Sequence, residues 1–256
     1  MKRVLVVLLV LLFWATLSDA RPVQKNKVPA QKRASAAKVN TEKEEPYKAY
    51  IVAESTTGKV LEGENIHAKR PPASVTKLML AYVVLDKVAK GEINLTDKIT
   101  TSKEASKIGG SQVYLKEGEV FTLEEMMKAI LVASGNDAAY AVAEHIAGSK
   151  DEFVRLMNEK AKSLGMTNTH FLDCSGLTDE GHYSTAHDIA LMALEITRKY
   201  PLISEYTTIR HDTFRNGTFD LDNTNHLIGK YRGMTGLKTG MTNASGYCLA
   251  ATASRD

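Results

Sequence analysis

Ser74 and Lys77 stand three residues apart in "RPPASVTKLMLAYVVL", residues 70–85, and the apolar run begins directly after the lysine. On a helix that spacing puts both side chains on one face. A neutral lysine amine beside a serine hydroxyl can take its proton and leave a nucleophilic oxygen, with no histidine involved. Free lysine titrates near 10.4, so a base working near neutrality has to come down by about 3 pH units, worth roughly 4 kcal/mol. Burial and a second nearby cation both act in that direction. The oily surroundings of Lys77 supply the first, and the second has to come from elsewhere in the chain.

Alone, the pair is weak. Serine followed three places later by lysine arises by chance about once in a chain of this size. Ser35 and Lys38 repeat the spacing in a polar stretch where nothing desolvates the lysine. Ser74 as a helix cap and Lys77 as a snorkelling surface residue is the bland alternative. Two further stretches weigh against it. Ser134-Gly135-Asn136 follows the helical "AILVA" and belongs in a loop between two helices. Lys238-Thr239-Gly240 opens a strand, with Gly240 leaving room for a ligand to approach the backbone. Each is unremarkable separately, but the three in this order are hard to obtain by accident.

These residues need elements to hold them. "YKAYIVAES" alternates and turns through "STTG" into "KVLEG", a hairpin pattern. Pro71 and Pro72 suit the entrance of the Ser74 helix. Thr122 and Glu125 have capping-box spacing at the head of a second helix, and Ser149 and Glu152 repeat it at another, which Gly165 follows. "STAHDIALMALEITRKYP" reads as a helix stopped by Pro201. Asn216-Gly217 lies between β-rich runs, a hairpin signal, and "GLKTG" and "GYCLAATAS" read as two more strands. A hairpin, then helices, then strands is the order of an α+β domain with an antiparallel sheet.

With 256 residues, 43% hydrophobic and 25% charged, the chain has ordinary globular composition, enough for one good-sized domain. A formal net charge of +3 argues against a dedicated nucleic-acid binder. Residues 1–20 carry Lys2 and Arg3, then "VLVVLLVLLFWATL" and the small-x-small Ser18-Asp19-Ala20. That is the pattern of a cleaved secretory signal. An uncleaved N-terminal anchor is the alternative, and either places the domain outside the cytoplasm, in the periplasm or at the outer face of the cell envelope. Residues 21–46 are polar and basic before they turn acidic, a flexible tether able to graze an anionic membrane. The fold is expected over 47–256. Cys174 and Cys248 could pair in an exported protein or stay free. Seven histidines show no ligand spacing, so neither a metal nor another cofactor is expected.

The Ser74/Lys77, Ser134/Asn136 and Lys238-Thr239-Gly240 trio resembles the signature of penicillin-recognising serine enzymes. "PPASVTKLM", "SGNDAAYAVAEHIAGS", "FVRLMNEKAKSLGMTNTHF", "GLTDEGHYSTAHDIALMA" and "NTNHLIGKYRGMTGLKTGMTNASGYCLAATA" are similar to the low-molecular-mass D-alanyl-D-alanine carboxypeptidases, or penicillin-binding proteins. The likeness covers roughly residues 47–256. It implies a β-lactamase/transpeptidase-like α+β fold, an antiparallel sheet flanked by helices with a helical lobe. It implies that Ser74 attacks the carbonyl between two terminal D-alanines and that Lys77 accepts its proton. Ser134 would relay a proton to the leaving amine and Asn136 would hold the substrate's backbone amide. Lys238 would be the second cation, depressing Lys77 and drawing the substrate carboxylate, with Thr239 bonding that carboxylate. The N–H groups of Ser74 and Met241 would hold the oxyanion. The partners implied are peptidoglycan stem peptides ending in D-Ala-D-Ala and β-lactams as covalent inhibitors. Members often carry an aromatic or histidine at the position of Met241, so its side-chain contacts are expected to differ. Rival readings are a class A-like β-lactamase, for which Glu180 is the sole loop carboxylate to consider, and an inactive peptidoglycan-binding homologue. The family's sheet continues with further strands and a closing helix, so the domain is expected to be incomplete at its C-terminus, with an exposed edge near "GYCLAATAS".

Overall fold

A computed structural model describes residues 7–13, 47–177 and 180–255. The tether, the Ser35/Lys38 repeat and the Ser18-Asp19-Ala20 pattern lie outside the described residues. In chain order the elements are β1 (Val7–Phe13), β2 (Tyr50–Glu54), β3 (Val60–Glu64), a 3-10 turn over Ala73–Thr76, α1 (Lys77–Ala89), β4 (Lys98–Thr100) and β5 (Val120–Thr122). There follow α2 (Leu123–Leu131), α3 (Asn136–Ala147), α4 (Lys150–Ser163), α5 (Ala186–Lys199) and α6 (Leu202–Thr207). The chain ends through β6 (His211–Phe214), β7 (Phe219–Asp222), β8 (Met234–Thr242) and β9 (Gly246–Ala253). The main sheet is antiparallel in the order β3-β2-β1-β9-β8. Helix α5 packs on it, and α2, α3 and α4 form the helical lobe around α1.

Local signals in the sequence explain most of these elements. Thr122 Oγ1 accepts from Glu125 N and the Glu125 carboxylate accepts from Thr122 N, a complete capping box at α2. At α4 the expected box is only half formed. Ser149 accepts from Glu152 N, but the Glu152 carboxylate is drawn off by Arg155 one turn along. Between β6 and β7, Arg215, Asn216 and Gly217 all have positive φ (53°, 52° and 84°), and Thr218 N bonds Arg215 O at 3.2 Å. The hairpin is there as the Asn-Gly pair signals, but its loop is the four residues between the paired Phe214 and Phe219.

Helix α1 is buried from Lys77 to Asp86, including every residue between. A helix enclosed on all sides belongs to the centre of the molecule. Its polar end is tied down at Asp86, whose carboxylate accepts from Lys90, from Lys160 on α4 at 3.1 Å, from Lys199 at the end of α5 at 2.8 Å and from the Tyr200 hydroxyl. Burial pushes this carboxyl up, but the four hydrogen bonds outweigh it and hold it far below the usual carboxylate range.

Val7–Phe13, which belong to the stretch read from sequence as a leader, pair as a strand with β2 on one side and β9 on the other. An apolar run rich in valine and leucine is a good strand former, and the facing edges of β2 and β9 offer unpaired N–H and C=O groups. In consequence "GYCLAATAS" is not an exposed edge: β9 is paired on both sides, and the edges are β3 and β8.

Candidate active site

Ser74 lies in the 3-10 turn and Lys77 is the first residue of α1. In a 3-10 turn positions i and i+3 eclipse, a closer alignment than an α-helix gives. Lys77 N–H bonds the Ser74 carbonyl, and Lys77 Nζ donates to Ser74 Oγ at 2.9 Å. The amine also donates to Asn136 Oδ1 at 2.6 Å and to the carbonyl of Ser175 at 2.9 Å. Lys77 is 0% exposed. Burial brings its pKa down to about 7, against a smaller upward pull from Cys174, Asp173 and Asp137. Burial thus favours the neutral amine, whose two hydrogens can stay on Asn136 Oδ1 and the Ser175 carbonyl while its lone pair turns to the Ser74 hydroxyl.

Ser134 and Asn136 arrive from the break between α2 and α3. The chain leaves α2 through Ser134 at φ 65°, and Gly135 N–H reaches back to the carbonyl of Ala129 at 3.0 Å. A serine in this left-handed region costs roughly 1–2 kcal/mol, a local strain that sets its side chain on the cleft wall. Asn136 opens α3 with its own N–H on the Ser111 carbonyl at 2.7 Å. Its Oδ1 is taken by Lys77, and Nδ2 gives one hydrogen to the Gly109 carbonyl at 2.8 Å. An amide nitrogen has two hydrogens, so Asn136 retains one donor.

Strand β8 brings the third group. Lys238 is 1% exposed and donates to Thr224 Oγ1 at 3.3 Å and to the Thr239 carbonyl at 3.0 Å. Burial, and then repulsion from Lys77, take its amine well below the ordinary lysine value. Burial is the leading cause for both amines, and the repulsion between Lys77 and Lys238 opposes charging the two together. Thr239 Oγ1 donates to Thr224 Oγ1 at 2.6 Å. Gly240 lies against the serine's own turn: a Cβ there would come within 2.7 Å of Ser74 N and 2.9 Å of Ala73 Cβ, so its missing side chain makes room for that turn as well as leaving its backbone on the cleft. Met241 follows with its side chain in solvent. A cleft of about 580 Å³ runs over these groups, lined by Ser74, Ser134, Thr224, Thr239, Gly240 and Met241 among others.

Ser175 and Thr224 are site residues that sequence reasoning misses. Ser175 sits in an Asx turn in which Asp173 Oδ1 accepts from Ser175 N and Gly176 N, both at 2.6 Å. Gly176 has φ 84°, and a Cβ on it would lie 1.8 Å from the Ala73 carbonyl oxygen. Only glycine lets this turn press close enough to put the Ser175 carbonyl on Lys77. Asp-x-Ser-Gly is a legible turn signal, but its landing place, 98 residues from Lys77, is not. Thr224 carries no local signal at all. Glu180 is exposed. Cys174 and Cys248 are separate free thiols, both buried and both pushed up to about 12. Among the described residues no group of histidine, cysteine and carboxylate side chains could hold a metal.

The sequence profile of D-alanyl-D-alanine carboxypeptidases matches residues 34–256. The chain belongs to the D-alanyl-D-alanine carboxypeptidase family. It is 47% identical over 211 residues to the D-alanyl-D-alanine carboxypeptidase DacF of Bacillus subtilis, covering 81% of this chain and 54% of that one. Among solved structures it resembles the D-alanyl-D-alanine carboxypeptidase DacD from Francisella tularensis, with TM-score 0.78 and 29% identity over 89% of this chain and 67% of that one. It also resembles penicillin-binding protein D2 from Listeria monocytogenes in its ampicillin-bound form, with TM-score 0.74 and 32% identity over 81% of this chain and 84% of that one. The fold expected from the motifs is therefore the one found. The chain spans about half the length of the curated family members it matches.

Proposed function

We propose that this chain is a serine D-Ala-D-Ala carboxypeptidase that trims peptidoglycan stem peptides through an acyl-enzyme on Ser74. The observation that carries the reading is the fully buried amine of Lys77 at 2.9 Å from Ser74 Oγ, in surroundings that bring its pKa down. Ser74 Oγ attacks the carbonyl carbon between the two D-alanines as its proton passes to Lys77 Nζ. The N–H groups of Ser74 and Met241 hold the oxyanion, and one lost donor of this kind costs about 3–4 kcal/mol. Collapse breaks the C–N bond, and the proton held on Lys77 passes by way of the Ser134 hydroxyl to the departing amine, which leaves Ser134 protonated and Lys77 neutral again. Asn136 steadies Lys77 through Oδ1 and offers its remaining N–H to the substrate backbone. Lys238, Thr239 and Thr224 form the cradle for the terminal carboxylate, whose arrival favours the charged form of Lys238. Water then hydrolyses the ester, with Lys77 as base.

None of the described residues lining the cleft is a carboxylate. A β-lactamase of the class A kind uses a glutamate to activate the deacylating water. A penicillin adduct on Ser74 is accordingly expected to persist. The apolar leader pattern at 1–20 supports action outside the cytoplasm, and no helix of the described residues is long and apolar enough to cross a membrane.

Labelled penicillin and intact-mass analysis test the proposal. The expected result is one penicilloyl group per chain that is lost over minutes or longer, no label on Ser74→Ala, and release of D-alanine from an acyl-D-Ala-D-Ala peptide. Labelling that survives in Ser74→Ala overturns the assignment, and turnover within seconds favours the β-lactamase reading.

A further inference from the structure

Beside the hydroxyls of Thr224 and Thr239 the cleft is lined by Leu227, Met241, Tyr247 and Leu249. Thr239 and Met241 alternate along β8 and so project from one face of it. In the β8–β9 register Tyr247 stands directly opposite Met241, and Leu249 opposite Thr239. Directly opposed residues share a face, so Tyr247 and Leu249 continue the surface that Thr239 begins. From the other side, Thr224 is bonded to Thr239, and Leu227 lines the same cleft three residues on. Met241 is 60% exposed, Tyr247 55% and Leu227 38%. Large apolar side chains are thus left to solvent immediately beyond the hydroxyls of the carboxylate cradle.

The leaving residue carries its amine, its carboxylate and its side chain on one carbon. With the amine held near Ser134 and the carboxylate at Thr224 and Thr239, only one direction remains for the side chain of a given configuration. We propose that Leu227 and Tyr247, with Met241, wall a subsite for that side chain. The chain then releases D-residues bearing a straight aliphatic chain of four carbons in preference to D-alanine. This rests on the peptidase reading above and specifies the substrate class of the same site.

The test is a competition between acyl-D-Ala-D-Ala and acyl-D-Ala-D-norleucine, with both released amino acids quantified by mass spectrometry. A half-exposed apolar wall is worth about twofold per added methylene. Norleucine adds three methylenes, so the wild-type ratio of kcat/KM is expected near eight in favour of norleucine. In Leu227→Ser and in Tyr247→Ser the ratio falls to about two or three, D-alanine release by the same variant serving as internal reference. A wild-type ratio below one, or a ratio the two substitutions leave unaltered, overturns the subsite. Penicillin labelling of Ser74 distinguishes the cases: labelling without a norleucine preference removes the subsite alone, whereas no labelling and no cleavage of either peptide removes the peptidase reading with it.

Discussion

Lys77 sets the working pH of the proposed chemistry. Its amine has to lose a proton before it can take one from Ser74, so the penicillin acylation rate is expected to rise with pH with a midpoint near 7. A midpoint near 10 would show an amine that burial has left unperturbed. The same depression affects folding with a definite sign. Between pH 7 and about 10 the unfolded chain holds the Lys77 proton and the folded one does not, so this residue's contribution to stability grows as pH rises, by at most about 1.4 kcal/mol per pH unit. Urea titrations of wild type and Lys77→Met across that window isolate the term. The residues legible in the sequence were those in the three ordered motifs and the resemblance they carry, since each spacing alone is weak: Ser74 with Lys77, Ser134 with Asn136, Lys238 with Thr239. Ser175 and Thr224 were not, because each acts through an approach of chain segments that no local pattern records. Gly240 also makes way for the turn that carries Ser74, a close approach that the sequence alone does not show.

Among elements, α1 depends on how its polar end is held. Asp86 draws lysines from α1, α4 and the end of α5 onto one carboxylate. Replacing it as Asp86→Asn leaves three lysines facing each other around a neutral amide. With Lys90 and Lys199 more than half exposed and free to turn to solvent, we expect a loss of about 1–2 kcal/mol in urea unfolding at pH 7. Because its folded-state pKa is depressed, Asp86 contributes fully above the unfolded carboxylate value near 4, and the contribution fades as pH falls below it. The difference between wild type and Asp86→Asn should accordingly shrink in acid, and a constant gap would refute the charge argument. The long helices α2, α4 and α5 were readable from their caps and periodicity. The three-residue strands β4 and β5 and the six-residue α6 were not, since elements so short have no period to show and exist only where neighbours complete them.

At the scale of the whole molecule, the middle of the sheet is its most unusual part. β1 joins β2 and β9, which are otherwise far apart in sequence and share no pairing. A chain lacking residues 1–20 is expected to show faster amide exchange in Val52–Glu54 and Tyr247–Ala251, the registers that β1 pairs, while α2 and α3 keep their protection. Unchanged exchange there would mean that β1 carries no weight in the fold. The sequence could not show this, because an apolar run has the same composition whether it leads the chain out of the cell or lies in a sheet.

The wall opposite β8 carries one more consequence. Asp137 is fully buried at the head of α3 and accepts from Val113 N at 3.1 Å and Leu115 N at 2.9 Å. From the other side Arg215, on the β6–β7 turn, donates to the carbonyls of Val113 and Tyr114 at 2.7 and 2.8 Å. The backbone beside Ser111 is thus gripped through both its donors and its acceptors. It is not a lid that folds down over an incoming molecule. Encounter meets a mould already set, little ordering is left for the complex to impose, and discrimination between ligands rests on fit at the moment of arrival.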